Sequence, residues 1–318
     1  MKFLVLGAGG IGGYFGAKLA NAGEDVWFIA RGKHLETMKL RGLKVRSAQE
    51  SFTVAPQKIT GSVKDAGTVD VVLFCVKSYD TENAAQQLAP ALGKDTVVIS
   101  LQNGIDNENK IRQIIKTGTV YGGVAYIYST ITAPGEITRY EGPTKIVFGP
   151  LDNTLTDQSR RMLETFTKAG ISADLSSAIQ QELWKKFIFI SGAAGVTALT
   201  RLTLGELLAH PETRKLSRDI MEETLAIARA KHIALDANLI DTFFETLSKF
   251  KNDTRSSLYY DLANGKPMEI EAIAGAVVKM GEELHIATPI QKTIYASLIP
   301  YHRKHVANAT GTKQERLG

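Results

Sequence analysis

The sequence predicts an α/β chain, a doubly wound Rossmann-type amino-terminal domain followed by an all-α carboxyl-terminal domain. Three observations predict it. The apolar run Phe3 to Leu6 leads straight into a glycine-rich turn. Short apolar runs then alternate with helical segments, as in a parallel sheet covered on both faces. From about Gln180 onward only helical periods remain.

The first run, Phe3-Leu-Val-Leu6, has the unbroken apolar character of a strand buried on both faces. Gly7, Gly9, Gly10 and Gly12 follow, and a helix begins near Ile11 with an apolar face of Phe15, Leu19 and Ala20. In this spacing Gly7 makes the tight turn, Gly9 lets the backbone approach a pyrophosphate and Gly12 lets the helix pack close to the strand. Gly10 and Ile11 open the helix, whose free N–H groups and positive dipole end would take the phosphates of a dinucleotide. Asp25 to Ala30 reads as the second strand, and the residue after it is Arg31. An NAD site usually carries an acid here to accept from the ribose 2′-OH, and none is present. Arg31-Gly32-Lys33 offers instead a planar cation and a second charge where a 2′-phosphate would lie, which favours NADP(H). The alternative is that Arg31 and Lys33 are solvated loop charges.

Leu43 to Ile59 reads as a β excursion, Val69 to Val76 as a buried strand, Asp80 to Leu92 as a helix and Thr96 to Leu101 as a strand. Val120 to Phe148 is rich in Tyr, Ile, Val and Thr, with turns at Ala133-Pro-Gly135 and Glu141-Gly-Pro143, and is expected to complete the sheet. Ligands bind outside the carboxyl ends of such parallel strands. Lys77 and Asn103 stand at two of those ends. Lys77 could contact phosphate or ribose, or be a solvated helix-start charge; Asn103 could bond the nicotinamide ribose or a substrate carbonyl, or serve the Asn-Gly turn. Helical periods are expected over Gln180–Leu199, Thr203–His232, Ala237–Phe250, Ile270–Leu284 and Pro289–Ala307. The expected division is 1–175 for the cofactor domain and 176–318 for the helical domain, with the active site between them.

Composition agrees with a soluble enzyme. The 318 residues carry a net charge of +5, scattered with modest enrichment at Arg303-Lys304 and in the tail, which does not suit nucleic acid but does suit small anions. The longest apolar or small stretch, Phe187 to Leu199, is too short to span a bilayer, and no leader segment is expected ahead of the first strand. Cys75, the single cysteine, lies in the run Val71 to Val76 and is expected to be a core residue, so no intrachain disulfide can form and a reducing cytoplasm is expected. No metal site is expected.

In the helical part, Lys185-Lys186 adjoins a strongly apolar stretch. Steps of four put Lys186, Ile190 and Ala194 on one helix face, with Lys185 about 100° away. A partly buried lysine has a depressed pKa and can donate a proton near neutrality, as a ketone receiving hydride requires. The alternative is that both lysines snorkel at a helix start.

Taken together, GAGGIGGYFG with Arg31, CVKS around Lys77, LQNG around Asn103, LWKK around Lys186, and Ser256-Ser257 with Lys266-Pro-Met-Glu269-Ile-Glu271 resemble the ketopantoate reductases (2-dehydropantoate 2-reductases) over essentially the whole chain. The resemblance implies NADPH-dependent reduction of ketopantoate to pantoate, a step of pantothenate biosynthesis, by a cytoplasmic enzyme that is often a homodimer. It implies Lys186 as general acid, Glu269 at the substrate hydroxyl and carbonyl, Ser257 on the substrate carboxylate, Asn103 orienting cofactor and substrate, and Lys77 on the cofactor side. Type members carry asparagines where this chain has Ile190, Ala194 and Thr254. All three positions are expected to line the substrate pocket. A hydroxyl left without its partner can cost about 1–3 kcal/mol, so a 2-keto acid with a less polar, branched tail competes with ketopantoate as the substrate. A non-catalytic NADP-binding sensor and a dehydrogenase of amino-acid-like substrates remain as alternatives.

Overall fold

A computed structural model describes residues 1–248 and 253–311. The chain divides into two compact units, Met1–Gln102 with Asp106–Leu183, and Asn103–Ile105 with Trp184–Gly318.

The first unit is built on an eight-stranded sheet. Its opening elements are β1 (Lys2–Leu6), α1 (Gly10–Asn21), β2 (Asp25–Ile29), α2 (Gly32–Arg41), β3 (Leu43–Arg46), β4 (Ser51–Val54), β5 (Ile59–Thr60) and β6 (Val71–Phe74). They are followed by α3 (Thr81–Gln86), β7 (Val97–Ser100), α4 (Asn107–Ile114), β8 (Thr119–Tyr126), β9 (Ser129–Ala133), β10 (Glu136–Arg139), β11 (Lys145–Pro150), α5 (Asp157–Lys168) and β12 (Ser172–Leu175). The strand order is β12-β11-β8-β7-β6-β1-β2-β5. All neighbours are parallel except β11 against β8. Period-two alternation sends Phe3, Val5, Val71 and Leu73 to one face, with Phe15 and Phe166, and Leu4, Leu6, Val72 and Phe74 to the other, with Ala84 and Ile111. Both faces are covered, which is why these strands read as unbroken apolar runs. The chain winds from β1 outward through β2 to β5, then crosses back to β6 on the other side of β1, so the switch point lies at the carboxyl end of β1.

The 43–59 excursion and part of 120–148 go elsewhere. β8 and β11 join the main sheet, but β9 and β10 pair with β3 and β4 in a second sheet of order β4-β3-β10-β9, correcting the expectation that the whole segment completes the first. The difference is one of burial: β8 is buried along nearly all its length, whereas β9 is mostly exposed and suits a sheet wetted on one face. This second sheet covers α1. A Cβ on Gly10 would strike the Ser129 carbonyl, and one on Gly13 the Ile137 side chain. The expected helix Asp80–Leu92 is shorter than its period suggests, with α3 closing at Gln86 and a 3₁₀ turn at Ala89–Ala91 around Pro90.

The second unit is helical: α6 (Ile179–Thr200), whose first turns belong to the first unit, then α7 (Leu204–Ala209), α8 (Pro211–Ala230), α9 (Leu239–Leu247), α10 (Ser257–Ala263), α11 (Ala276–Leu284) and α12 (Pro289–Thr310). The single helix expected over 203–232 is two. Pro211 is tolerated at the first position of α8 but forces His210 before it into extended backbone, and α7 ends there. A π-helical turn, Glu271–Gly275, precedes α11, so the expected helix from Ile270 begins with a widened turn. Phe250, the expected end of the 237–250 helix, lies outside the described residues, as does most of the charged tail. The small residues of α6 have a packing reason: a Cβ on Gly192 would strike Met221 of α8, and one on Gly195 would strike Ile294 of α12. Among the described residues no helix is long and apolar enough to cross a membrane, and no cluster of side chains could hold a metal ion.

Candidate active site

The switch point is built from the ends of three strands. Gly7 closes β1 with φ +101°, a conformation that favours glycine, and a Cβ there would sit 2.8 Å from the Val76 nitrogen. Ala8 N–H donates to Ile29 O at 2.9 Å, and Cys75 N–H to Leu6 O at the same distance, so β2 and β6 hold the turn from both sides. Gly12 rests against the Gly7 carbonyl and the Cys75 side chain, the close helix-to-strand approach that the spacing requires. Burial pushes the Cys75 thiol far up, as befits an inert residue beneath the turn. Gly9 differs from its neighbours in that a Cβ there would meet nothing within 4 Å. It is also the N-cap of α1 and supplies no side-chain cap, so the N–H groups at Gly10, Ile11 and Gly12 open the helix without a capping side chain, next to the clear space at Gly9. Donors without a capping side chain, the clearance at Gly9 and a positive helix end fit a pyrophosphate.

Around this turn stand the charged groups. Arg31 is the N-cap residue of α2 and its side chain is 82% exposed. Its Nη2 donates to Asp80 Oδ2 at 2.7 Å. Asp80 closes the short 3₁₀ turn Ser78–Asp80 that follows half-buried Lys77, and its own N–H donates to the Lys77 carbonyl at 2.8 Å. The sequence reading missed Asp80, because nothing local marks a partner 49 residues from Arg31. It missed His34 too. His34 Nδ1 accepts the Gly135 N–H at 2.9 Å, which leaves the ring proton on Nε2 to donate to the Ala8 carbonyl at 2.9 Å. One neutral imidazole thus ties the glycine turn to the β9–β10 hairpin, and burial holds its pKa below the ordinary value. Gln102, buried at the end of β7, donates to Val76 O at 2.9 Å and Thr81 Oγ1 at 2.8 Å, fixing the loop that carries Asn103.

Asn103 belongs to the second unit. There its Nδ2 donates to Glu269 Oε2 at 3.3 Å across 166 residues of sequence. Glu269 is only 5% exposed, between the fully buried Met268 and Ile270. The Met268 N–H donates at 3.0 Å to Nδ1 of His302 on α12, so a buried imidazole fixes the backbone beside the carboxylate. Burial lowers the pKa of His302, with Glu271 opposing and His305 and Arg303 adding to the fall. One turn along α12, His305 Nδ1 lies 2.9 Å from the Lys266 carbonyl, a second tie to the same segment.

Lys185 and Lys186 are both half-buried, so burial does not separate them. Their faces do. Ile190 and Ala194 continue the Lys186 face of α6 and join the apolar cluster that contains Leu258, Met268 and Ile270. That cluster gathers the neighbours of Ser257 and of Glu269 beside the Lys186 face. The serine pair divides its work. Ser256 caps α10, accepting from Tyr259 N–H at 3.1 Å and from Thr197 Oγ1 at 2.7 Å, while Ser257, the first residue of the helix, is exposed. Thr254 is half-buried, and its carbonyl accepts the Leu204 N–H at 2.7 Å.

A Rossmann-type turn in one unit and a buried carboxylate beside a lysine-bearing helix in the other describe an oxidoreductase architecture. Two family models match, "Ketopantoate reductase PanE/ApbA" over residues 3–153 and its C-terminal companion over residues 178–302. Among curated proteins, the 2-dehydropantoate 2-reductase of Archaeoglobus fulgidus is 31% identical over 292 residues, covering 91% of this chain and 94% of its own. The uncharacterized oxidoreductase YkpB of Bacillus subtilis is 30% identical over 301 residues, covering 95% and 99% respectively. The crystal structure of a PanE/ApbA family ketopantoate reductase from Ralstonia eutropha JMP134 superposes with a TM-score of 0.88 at 30% identity, covering 96% of this chain and all (100%) of that one. The chain belongs to the ketopantoate reductase family.

Proposed function

We propose that the protein is an NADPH-dependent 2-keto acid reductase of the 2-dehydropantoate 2-reductase type, with residues 1–175 serving the cofactor and 176–318 the substrate. The observation that carries this reading is the buried Glu269 carboxylate and its bond from Asn103. Burying a carboxylate is unfavourable unless it is paired, and such groups concentrate where chemistry is done. In this reading Gly7, Gly9, Gly10, Ile11 and Gly12 cradle the pyrophosphate, Arg31 takes the 2′-phosphate and Lys77 a phosphate or ribose oxygen. When bound, NADPH supplies the hydride that C2 of the keto acid receives. Lys186 gives its Nζ proton to the C2 oxygen, converting the carbonyl to a hydroxyl. Ser257 holds the substrate carboxylate, while Glu269 orients Asn103 and favours the protonated lysine before transfer.

A second reading, reduction of a branched 2-keto acid with an apolar tail, is favoured by Ile190 and Ala194, which join the apolar cluster at positions where type members hold asparagines. Both readings are tested by following NADPH oxidation across a panel that includes ketopantoate, 2-ketoisovalerate and pyruvate. Turnover with a branched 2-keto acid is expected. Cofactor binding without turnover of any member would overturn the enzymatic reading in favour of a sensor.

A further inference from the structure

The pair formed by Arg31 and Asp80 is unusual in what it forgoes. Asp80 is the N-cap residue of α3, where an aspartate ordinarily accepts from the first N–H groups of the helix, yet its carboxylate makes no capping bond and turns to Arg31 instead. The two residues leave from different strand ends, Arg31 after β2 and Asp80 after β6, with β1 and its glycine turn between them. The carboxyl end of β2, where an NAD site carries its ribose acid, holds a cation, and an acid reaches that cation from the neighbouring crossover. An arginine bonded to a carboxylate presents little net charge. A 2′-phosphate carries between one and two negative charges near pH 7, so it meets attraction from Arg31 and repulsion from Asp80 together. A 2′-hydroxyl, by contrast, can donate to the free lone pairs of the same carboxylate.

We propose that Asp80 sets the nucleotide selectivity of this chain: by sharing Arg31 with the adenosine 2′ position it restrains NADPH preference and admits NADH. The inference rests on the reading of the Gly7 turn as a dinucleotide site, and it adds a residue and a direction to that reading. Because the Arg31 side chain is 82% exposed, solvent and salt moderate the effect.

The test is direct binding on the full chain, with NADPH and NADH titrated separately by the fluorescence of the reduced nicotinamide. Asp80→Asn keeps the shape and removes the charge, and Asp80→Ser is a second variant in case the amide makes new bonds. Both are expected to tighten NADPH roughly threefold to fivefold, the range of one exposed charge pair, and to weaken NADH by a smaller factor. The gain should shrink in about 0.5 M salt. A ratio of dissociation constants that stays fixed overturns the proposal. A ratio that moves toward NADH also overturns it, and makes Asp80 a residue that merely holds Arg31 ready for phosphate. If the wild-type chain binds neither nucleotide, the dinucleotide reading falls and this inference with it, a result distinct from an unchanged ratio.

Discussion

The two units prepare for charge in opposite ways. The first unit offers a helix start with no capping side chain, open space over Gly9, and an arginine that is 82% exposed. The second buries its carboxylate to 5% exposure, gives it a bond from Asn103 and fixes the adjoining backbone through His302. A polyphosphate needs many oriented donors and arrives with its own charge, so backbone dipoles and mobile cations suffice. Proton transfer to a ketone needs a group whose affinity for the proton is tuned, and tuning comes from desolvation and fixed neighbours. The two units do share a device. Each uses a neutral histidine, half-buried His34 or buried His302, as acceptor for a backbone N–H, from Gly135 and Met268 respectively.

The sharpest test of this contrast is in the second unit. Lys186→Ala should lower kcat by about two to four orders of magnitude while leaving NADPH binding intact, whereas Lys185→Ala should do little. Stopped-flow turnover beside nucleotide titration checks both, and reversal of the two variants would mean that the wrong face of α6 carries the acid. The next largest effect belongs to the first unit. Arg31→Ala should weaken NADPH by roughly tenfold to a hundredfold, the range of a charged hydrogen bond lost, and NADH only slightly. Equal losses would show that Arg31 does not distinguish the nucleotides.

A smaller shift is expected at Ile190. Asparagine there offers an amide to the hydroxyl of ketopantoate, and the ratio of kcat/KM for ketopantoate over 2-ketoisovalerate should rise roughly tenfold, about 1.4 kcal/mol. A wild-type preference for ketopantoate above about a hundredfold, near 2.7 kcal/mol, would show that other groups already hold that hydroxyl. The smallest effect is on stability, and it probes the shared device. Burial lowers the pKa of His34 and of His302 below the ordinary 6.5, so both are neutral in the folded chain near neutral pH. Above that value folded and unfolded chains bind the same protons at these sites. As pH falls through it the unfolded chain takes up protons first, and stability should decline. Thermal unfolding between about pH 7.5 and 5 should show that decline, lessened in His302→Gln, whose side chain does not titrate. An equal slope in wild type and variant would remove His302 as a source.

The legible and illegible parts of the sequence divide along the same line. The glycine turn could be read at residue 7 because strand, turn and helix are contiguous and each glycine answers a local steric demand. Arg31 could be placed because it follows closely on the strand next to that turn. Asp80 and His34 could not, since their partners at 31, 8 and 135 meet them only when strands cross and a hairpin folds over α1. The helices of the second unit were legible in rough extent, apart from the break at His210-Pro211, where a local rule outweighed an apolar period, and from the short α10, which was not expected because seven residues carry too little apolar period to mark a helix. Asn103 could be singled out by its place at a strand end, but Glu269 came only through resemblance to a family, because nothing in a single sequence marks a bond across 166 residues.

By itself, then, the sequence determined the α/β order of the first half, the glycine turn and the helical character of the rest, because steric and hydrophobic periods act over a few residues. The tertiary structure alone decided that β9 and β10 leave the main sheet to cover α1, that Asp80 meets Arg31, and that Asn103 joins the second unit to bond Glu269. The physical reason is that hydrogen bonds and ion pairs between distant residues depend on where the packed backbone brings them. A charge or an amide carries no period that announces its partner.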